Sequence, residues 1–136
     1  ERFAGDGMMI FFNDPLEIDD PAGTAVRMAL EMQQQFAGLQ EQWLRRGYSL
    51  AMGIGIAQGV ATIGAIGFEG RRDYGAIGSV TNLAARLCSE ARGGQILVAQ
   101  KAAANAGTTI PMRAAGEVML KGFAGPVEIF EPAETA

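Results

Sequence analysis

An amide and a guanidinium lie four residues apart in the second half of the chain, at Asn82 and Arg86. The residues around them predict a short strand from Tyr74, a break at Gly78 and then a helix. Two helical residues four apart project from one face, so this pair suits an anionic oxygen or a sugar ring. From spacing alone, a solvent-exposed helix face with a small hydrogen-bonded pair is the simpler interpretation.

The opposite face of this predicted helix is apolar, whereas Ser79 and Glu90 fall near the polar face. Four residues share the apolar face: Val80, Leu83, Leu87 and Ala91. We expect this face to dock on a sheet. Cys88 lies on the same helix and is predicted to be a small core residue rather than a nucleophile.

A carboxylate with possible chemistry stands at Asp6, between Gly5 and Gly7. The two glycines predict a tight turn in a β-hairpin over residues 2–12, with the carboxylate at its tip. Residues 8–12 are strongly apolar and predict a buried strand. Taken alone, Asp6 is most simply a turn former, because a hard metal ion needs a second carboxylate nearby.

Composition excludes several kinds of site. The 136 residues suffice for one domain with one core, and 49% hydrophobic against 19% charged residues excludes disorder. The net charge of -4, without a basic run, argues against nucleic-acid binding through phosphate electrostatics. With no histidine and one cysteine, the chain has no Ser-His-Asp triad, no intramolecular disulfide and no multi-thiolate zinc site. A metal would need oxygen ligands, which suits magnesium.

No apolar run is long enough to span a bilayer, and no signal-peptide pattern is present. We therefore expect a soluble, cytoplasmic chain without direct membrane contact. Residues 13–20 are acidic and predict a solvated loop. Arg71 and Arg72 stand in a predicted polar loop over residues 68–73, and either surface charges or a phosphate contact would explain them.

The longest predicted helix begins at Asp20 and Pro21 and ends near Gly47. Its apolar stripe is predicted to be core: Ala25, Ala29, Met32, Phe36, Leu39 and Trp43. Residues 48–57 alternate between large apolar residues and small ones, which predicts a strand with one almost bare face. A helix, a partner chain or a ligand could approach that bare face closely.

The remaining elements are a strand over residues 60–66, a strand over 95–99, a short helix over 101–107 and a closing hairpin formed by 117–121 and 127–130. The irregular alternation of hairpins and helices predicts an α+β fold, a largely antiparallel sheet with helices on one face.

Motifs in one order along almost the whole chain resemble the class III nucleotidyl cyclase catalytic domain. They are residues 2–7 before an apolar strand, 53–59, 74–87 with its Asn82-x-x-x-Arg86, and 117–122 followed by Pro126 and Val127. The resemblance implies a ferredoxin-like α+β domain that works as a head-to-tail homodimer with sites at the interface. Two Mg²⁺ or Mn²⁺ ions would bind a nucleoside triphosphate, whose ribose 3'-hydroxyl attacks the α-phosphorus and releases pyrophosphate.

By this resemblance, Asp6 looks like the second metal aspartate, Asn82 like the residue that orients the ribose, and Arg86 like the residue that stabilises charge at the α-phosphate. The first metal aspartate of the family belongs to a segment N-terminal to this chain. We therefore expect residues 1–136 to be a single, N-terminally incomplete catalytic domain that is inactive alone.

Arg2 and Gly75 occupy the base-reading positions, where adenylate cyclases usually carry lysine with aspartate or threonine, and guanylate cyclases glutamate with cysteine. Neither code is met, so these positions leave the choice of base open; ATP is the first candidate and GTP the second. The family's lysine for the terminal phosphate falls at Phe123, which leaves Lys121 or Arg71 as substitutes. These departures keep open a catalytically inactive module that binds nucleotide or a partner, and an interaction domain without a ligand.

Overall fold

The computed structural model describes residues 2–4, 7–13, 17–59, 62–68, 71–77 and 79–133, of which it gives the backbone alone for 2–4, 62–68 and 71–77. The helices are α1 (Pro21–Arg45), α2 (Ser79–Glu90) and α3 (Gln100–Ala106). The strands are β1 (Arg2–Ala4), β2 (Gly7–Met9), β3 (Ile54–Ile56), β4 (Thr62–Phe68), β5 (Arg71–Ile77), β6 (Ile96–Ala99), β7 (Met112–Val118) and β8 (Val127–Pro132).

A sheet in the order β3-β6-β8-β7 forms the centre of the described residues. β3 pairs with β6 in parallel, whereas β8 pairs antiparallel with both β6 and β7. β1 with β2, and β4 with β5, form separate antiparallel pairs. The predicted α+β class with a largely antiparallel sheet is confirmed.

Helices cover both faces of this sheet. Ile96 and Val98 of β6 pack with α1 and α3 in one core cluster, whereas Leu97 and Ala99 pack with Leu87 of α2 in another. Because successive strand residues point to opposite faces, α1 and α3 lie on one side and α2 on the other. The expectation of helices on one face was wrong, because β6 is apolar and buried along both faces.

The predicted ends of α1 are confirmed. The Gly23 amide donates to the Asp20 side chain at 3.0 Å, which caps the helix, and Pro21 occupies its first turn. The helix ends at Arg45, and Gly47 follows with a φ of 88°. No helix among the described residues combines the length and the apolar composition needed to cross a membrane.

The apolar stripe of α1 is core only in its first half. Ala25 and Ala29 are buried, but Leu39 is 43% exposed, and Phe36 and Trp43 are half-buried. The prediction of a fully buried stripe was therefore wrong for the second half of the helix. The helix is longer than the sheet and the small α3 that it packs on, so its far end has little to cover it.

The strand predicted over residues 48–57 is confined to β3. The Gln33 side chain donates to the Met52 carbonyl at 2.8 Å, and the Gln40 side chain donates to the Leu50 carbonyl at 2.5 Å. The Met52 carbonyl also accepts from the backbone amide of Gly94 at 2.8 Å, so the residues before β3 are held both by α1 and by the turn before β6. Residues 48–53 are therefore not part of a strand, although α1 and the turn before β6 both bind their carbonyl groups.

Three other boundaries differ from prediction. β2 ends at Met9 and Met8 is 43% exposed, so the buried strand over residues 8–12 was wrong. The loop predicted over 68–73 was also wrong, because Phe68 and Arg71 pair within the β4–β5 hairpin. The closing hairpin pairs Met112 with Pro132, so its first strand begins earlier than residue 117 and ends at Val118.

Candidate active site

The predicted polar pair lies on the open face of α2. Asn82 and Arg86 are both exposed, one turn apart. Within the described part of the chain, neither side chain makes a hydrogen bond or an ion pair. The internal pair expected from the simpler interpretation is thus not formed, and both polar groups remain available to a ligand or a partner surface.

The opposite face of α2 docks on the sheet as predicted. Leu87 has no exposed surface, and Leu83 and Ala91 pack around the same cluster as Leu97 and Ile129. This packing fixes the rotation of the helix about its own axis. Because Asn82 and Arg86 lie away from that buried face, the sheet determines the direction in which they project.

The bare face of the β3 region contacts α2. A Cβ atom on Gly55 would lie 2.5 Å from the Ala84 carbonyl oxygen, and one on Gly53 would lie 3.0 Å from the Ala91 Cβ. The Cys88 thiol donates to the Gly53 carbonyl at 3.5 Å, but Cys88 is exposed, so its prediction as a core residue was wrong. Of the three possible neighbours of this face, the occupant is therefore a helix of the same chain.

A cavity of about 210 Å³ adjoins the first turn of α2. Its walls come from residues 9–13 after β2, the start of α1, residues 56–59 at the end of β3, and Val80, Thr81 and Ala84 of α2. The walls are mostly apolar, with polar groups from Asn13, Gln58 and Thr81. Asn82 and Arg86 are not among its lining residues, so the polar pair lies on open surface beside the cavity.

Gln58 lies within the motif over residues 53–59 but was not predicted to be a site residue. In the structure, Gln58 lines the cavity, and its side-chain oxygen accepts a hydrogen bond from the Asn105 amide at 2.6 Å. Asn105 lies on α3, so this contact is between residues 47 positions apart. The position of Gln58 immediately after an apolar strand and before Gly59 was the one available signal.

Lys121 is exposed in the turn that follows β7. Its neighbour Leu120 is buried, and Phe123 packs against the cluster that also holds Leu83 and Leu87 of α2. Phe123 donates its amide hydrogen to the Leu120 carbonyl at 3.1 Å, and Gly122 between them has a φ of 89°. The turn is thereby fixed to the same cluster as α2, with Lys121 projecting from it.

The other predicted ligand contacts lie on the two hairpins. Arg2 pairs with Met9 across β1 and β2. Gly75 pairs with Gly64 across β4 and β5, and Arg71 begins β5. The structure describes the backbone of these strands, which establishes the position of each residue in its hairpin.

Asp6, the predicted metal ligand, lies outside the described residues. Among the residues that are described, no three cysteine, aspartate or glutamate side chains come together as a metal site. The described donors therefore do not fit a metal ion on their own.

Comparison with known proteins places these features in one family. The family model of the adenylate and guanylate cyclase catalytic domain matches residues 2–131. A terminal-differentiation specific adenylate cyclase of Dictyostelium discoideum is 33% identical over 138 residues, which cover 96% of this chain. The same match covers 6% of that relative, so this chain corresponds to a small part of it.

Two solved structures share the fold. The adenylyl cyclase CyaB from P. aeruginosa superposes with a TM-score of 0.86 and 31% identity, covering 99% of this chain and 71% of that one. The guanylyl cyclase Cya2 superposes with a TM-score of 0.77 and 33% identity, covering 92% and 64%. The recognised motifs and the three-dimensional fold thus point to the same group of proteins.

Proposed function

The chain belongs to the adenylate and guanylate cyclase catalytic-domain family, and on this basis we propose that it is the catalytic part of a cytoplasmic nucleotidyl cyclase in signal transduction. The reaction converts a nucleoside triphosphate into a cyclic 3',5'-nucleotide and pyrophosphate. The bond from the ribose 3'-oxygen to the α-phosphorus forms, and the bond to pyrophosphate breaks. ATP is the first candidate substrate and GTP the second.

The observation that carries this proposal is the exposed, unpaired Asn82 and Arg86 on α2. The planar guanidinium of Arg86 donates to the α-phosphate oxygens, where negative charge grows during the displacement. The Asn82 amide, one turn away, holds the ribose so that its 3'-oxygen lies in line with the bond that breaks. Both roles need side chains free of internal partners.

The remaining predicted residues bind the rest of the substrate. Arg2 and the position of Gly75 would meet the base, and Lys121 or Arg71 the terminal phosphate. Gly75 has no side chain and lies opposite Gly64, so recognition of the base falls to Arg2 or to backbone groups. Because Arg2 with a glycine at position 75 matches neither base code, both ATP and GTP need to be tested.

Cyclase domains of this class generally use divalent metal ions. We expect two Mg²⁺ or Mn²⁺ ions, with Asp6 as one carboxylate ligand. Such ions would acidify the attacking hydroxyl and neutralise phosphate charge. The described residues contain no cluster of carboxylates that could hold a metal ion, so the ligands besides Asp6 must come from elsewhere in the protein.

A head-to-tail homodimer completes the proposal. Asn82, Arg86 and Lys121 all lie on exposed surface rather than inside an enclosed pocket of the chain. A reaction that must exclude water needs a second surface over these groups. A second copy of the chain would supply that surface, together with residues that the first copy lacks at its own site.

One observation favours a second candidate function, a catalytically inactive module of cyclase type that binds nucleotide or a partner. Phe123, at the position where the family carries its phosphate-binding lysine, packs against the core cluster of α2. It therefore offers no charge to a triphosphate. Nucleotide binding without turnover would identify this alternative.

Assay of the full-length protein that contains this chain tests the proposal. We expect cyclic AMP or cyclic GMP from the matching triphosphate in the presence of Mg²⁺ or Mn²⁺. We also expect Arg86→Ala to lower production about 10²- to 10³-fold, whereas Arg92→Ala, a change at another exposed arginine beyond α2, preserves it. Absence of product from either nucleotide, or full activity of Arg86→Ala, would refute the proposal.

A further inference from the structure

The turn that follows α2 is closely held by its neighbours. The Arg92 carbonyl accepts a hydrogen bond from the Gln95 amide at 2.9 Å, which closes a four-residue turn. Gly94 has a φ of 84°, as the third residue of a type II turn requires. A Cβ atom on Gly93 would lie 2.5 Å from the Ala51 Cβ, so the turn lies directly against the segment before β3. α2 therefore ends in a turn with little freedom to move.

Gln95 uses all of its polar groups in this arrangement. Its side-chain oxygen accepts from the Arg92 backbone amide at 2.9 Å, and its side-chain nitrogen donates to a carboxylate oxygen of Glu131 at 3.2 Å. Its backbone carbonyl accepts from the Ile54 amide at 3.0 Å. One half-buried side chain thus joins the residue just beyond α2 to β8, while its backbone joins the same turn to β3.

Glu131 is itself well anchored. Its side chain is 23% exposed and pairs with Arg113 at 3.7 Å, directly across the β7–β8 pair. β8 in turn pairs with both β6 and β7, so it is not an edge of the central sheet. The hydrogen bond between Gln95 and Glu131 therefore ties the end of α2 to the interior of the sheet.

The Gln95 contact adds a directional restraint to the apolar packing of α2. The buried face of the helix packs through Leu87, and apolar contacts have no preferred direction. A hydrogen bond depends on both distance and angle. The Ala91 amide donates to the Leu87 carbonyl at 2.9 Å, so helical bonding continues almost to Arg92. The bonded Arg92 amide can therefore fix the position of the last turn of α2 along its axis, together with Arg86 six residues earlier.

We propose that Gln95 is a positioning residue for the cyclase reaction, which holds Arg86 in place through the turn at Arg92. This inference rests on the proposed function, in which the Arg86 guanidinium meets the α-phosphate. A displacement of about 1 Å in a reacting geometry can cost about 10²-fold in rate. Because the guanidinium binds charge that grows in the transition state, its displacement should affect kcat rather than KM.

A double-mutant cycle in the full-length protein tests this role. Gln95→Ala should lower kcat about tenfold and leave KM nearly unchanged. In an Arg86→Ala background the same change should lower kcat less than about twofold, because no guanidinium remains to be positioned. Equal effects of Gln95→Ala in the two backgrounds, or an unchanged kcat in the first, would overturn the proposal. Arg92→Ala keeps the backbone amide that Gln95 binds and should retain activity.

Gln40→Ala separates positioning from stability. The Gln40 side chain also donates to a backbone carbonyl, that of Leu50, but it lies on α1 away from α2. Both glutamine variants should unfold at a lower urea concentration than the unaltered protein, whereas only Gln95→Ala should lower kcat under conditions where both are folded. An equal fall in kcat for Gln40→Ala would show that activity merely follows stability.

An exchange of donor and acceptor tests the contact itself. Gln95→Glu keeps an acceptor for the Arg92 amide but places a second carboxylate against Glu131, so kcat should fall. Adding Glu131→Gln restores a donor and an acceptor across the same contact and should return kcat to within about threefold of the unaltered protein. Failure of the double variant to recover would refute the role of this bond.

The outcomes distinguish this inference from the proposed function. Absence of cyclic nucleotide from the unaltered protein refutes the proposed function, and the role of Gln95 with it. An active protein whose kcat depends on Arg86 but not on Gln95 refutes the role of Gln95 alone.

Discussion

Gly55 of β3 lies so close to α2 that a Cβ atom on it would come within 2.5 Å of the Ala84 carbonyl oxygen. The same atom would also clash with the Cys88 amide nitrogen. The strand therefore supports the helix by direct backbone contact along the turn from Ala84 to Cys88, which contains Arg86 and begins two residues after Asn82. The absence of a side chain at Gly55 thus sets the distance between α2 and the sheet, and with it the position of the proposed catalytic groups.

Replacing Gly55 with alanine should destabilise the protein by about 2 kcal/mol, because the added methyl group must push α2 off the sheet. Gly38→Ala is the matched control, since its Cβ meets nothing and alanine favours a helix by about 1 kcal/mol. Urea unfolding measures both changes. An unchanged unfolding midpoint for Gly55→Ala would show that α2 can shift without cost.

Removal of the α2 polar groups should affect catalysis and not stability. Asn82→Ala and Arg86→Ala should each lower kcat about 10²- to 10³-fold, because each removes a preorganised donor from the reacting phosphate or sugar. Arg86→Lys should recover only part of the loss, since lysine lacks the planar fork of donors. Cyclic nucleotide production by the full-length protein provides the measurement.

The control for these variants is Arg92→Ala, which removes an exposed arginine beyond the end of α2. It should retain activity, and all of these proteins should unfold at the same urea concentration because the altered side chains are exposed. A fall in stability that parallels the fall in kcat would assign Asn82 and Arg86 a structural role instead.

Asp20 should contribute to stability through the start of α1. Its side chain accepts hydrogen bonds from the Gly23 amide at 3.0 Å and from the Thr109 hydroxyl at 3.2 Å. Asp20→Ala should therefore cost about 1 kcal/mol or more in urea unfolding. Asp20→Asn should cost less, because asparagine also caps helices and tolerates the φ of 49° at this position. Equal losses for the two variants would contradict a capping role.

Lys121→Ala should raise the KM for the nucleoside triphosphate about tenfold, because a charge-assisted contact to the terminal phosphate is lost. Lys101→Ala provides the comparison, since Lys101 is an exposed lysine at the start of α3. Steady-state kinetics of the full-length protein separates KM from kcat. If both lysine variants keep the KM of the unaltered protein, the phosphate contact belongs to another residue.

Local signals in the sequence predicted the helices well. Asp20 with Pro21 marks the start of α1, and the apolar spacing of α2 predicts which face is buried and which carries Asn82 and Arg86. These features depend on residues within a few positions of each other. The alternation over residues 48–57 likewise predicted a face with almost no side chains. It did not show whether a helix, a partner chain or a ligand would contact that face.

Features that depend on distant residues were not predicted. The side chains of Gln33 and Gln40 donate to the Met52 and Leu50 carbonyls, and the Gly94 amide also donates to Met52. The pattern of residues 48–57 alone gives no sign of these partners, which lie far away in the sequence. In the same way, the identity of α2 as the neighbour of Gly55 follows only from the fold.

The parallel pairing of β3 with β6 has a consequence for the order of folding. Ile54 pairs with Ile96, and the chain between them contains β4, β5 and α2. Closing this long loop costs entropy before its contacts form, so the local hairpin and helix should be populated earlier than the parallel pair. Once formed, β6 is buried on both faces, and its amide hydrogens should be among the slowest in the protein to exchange with solvent.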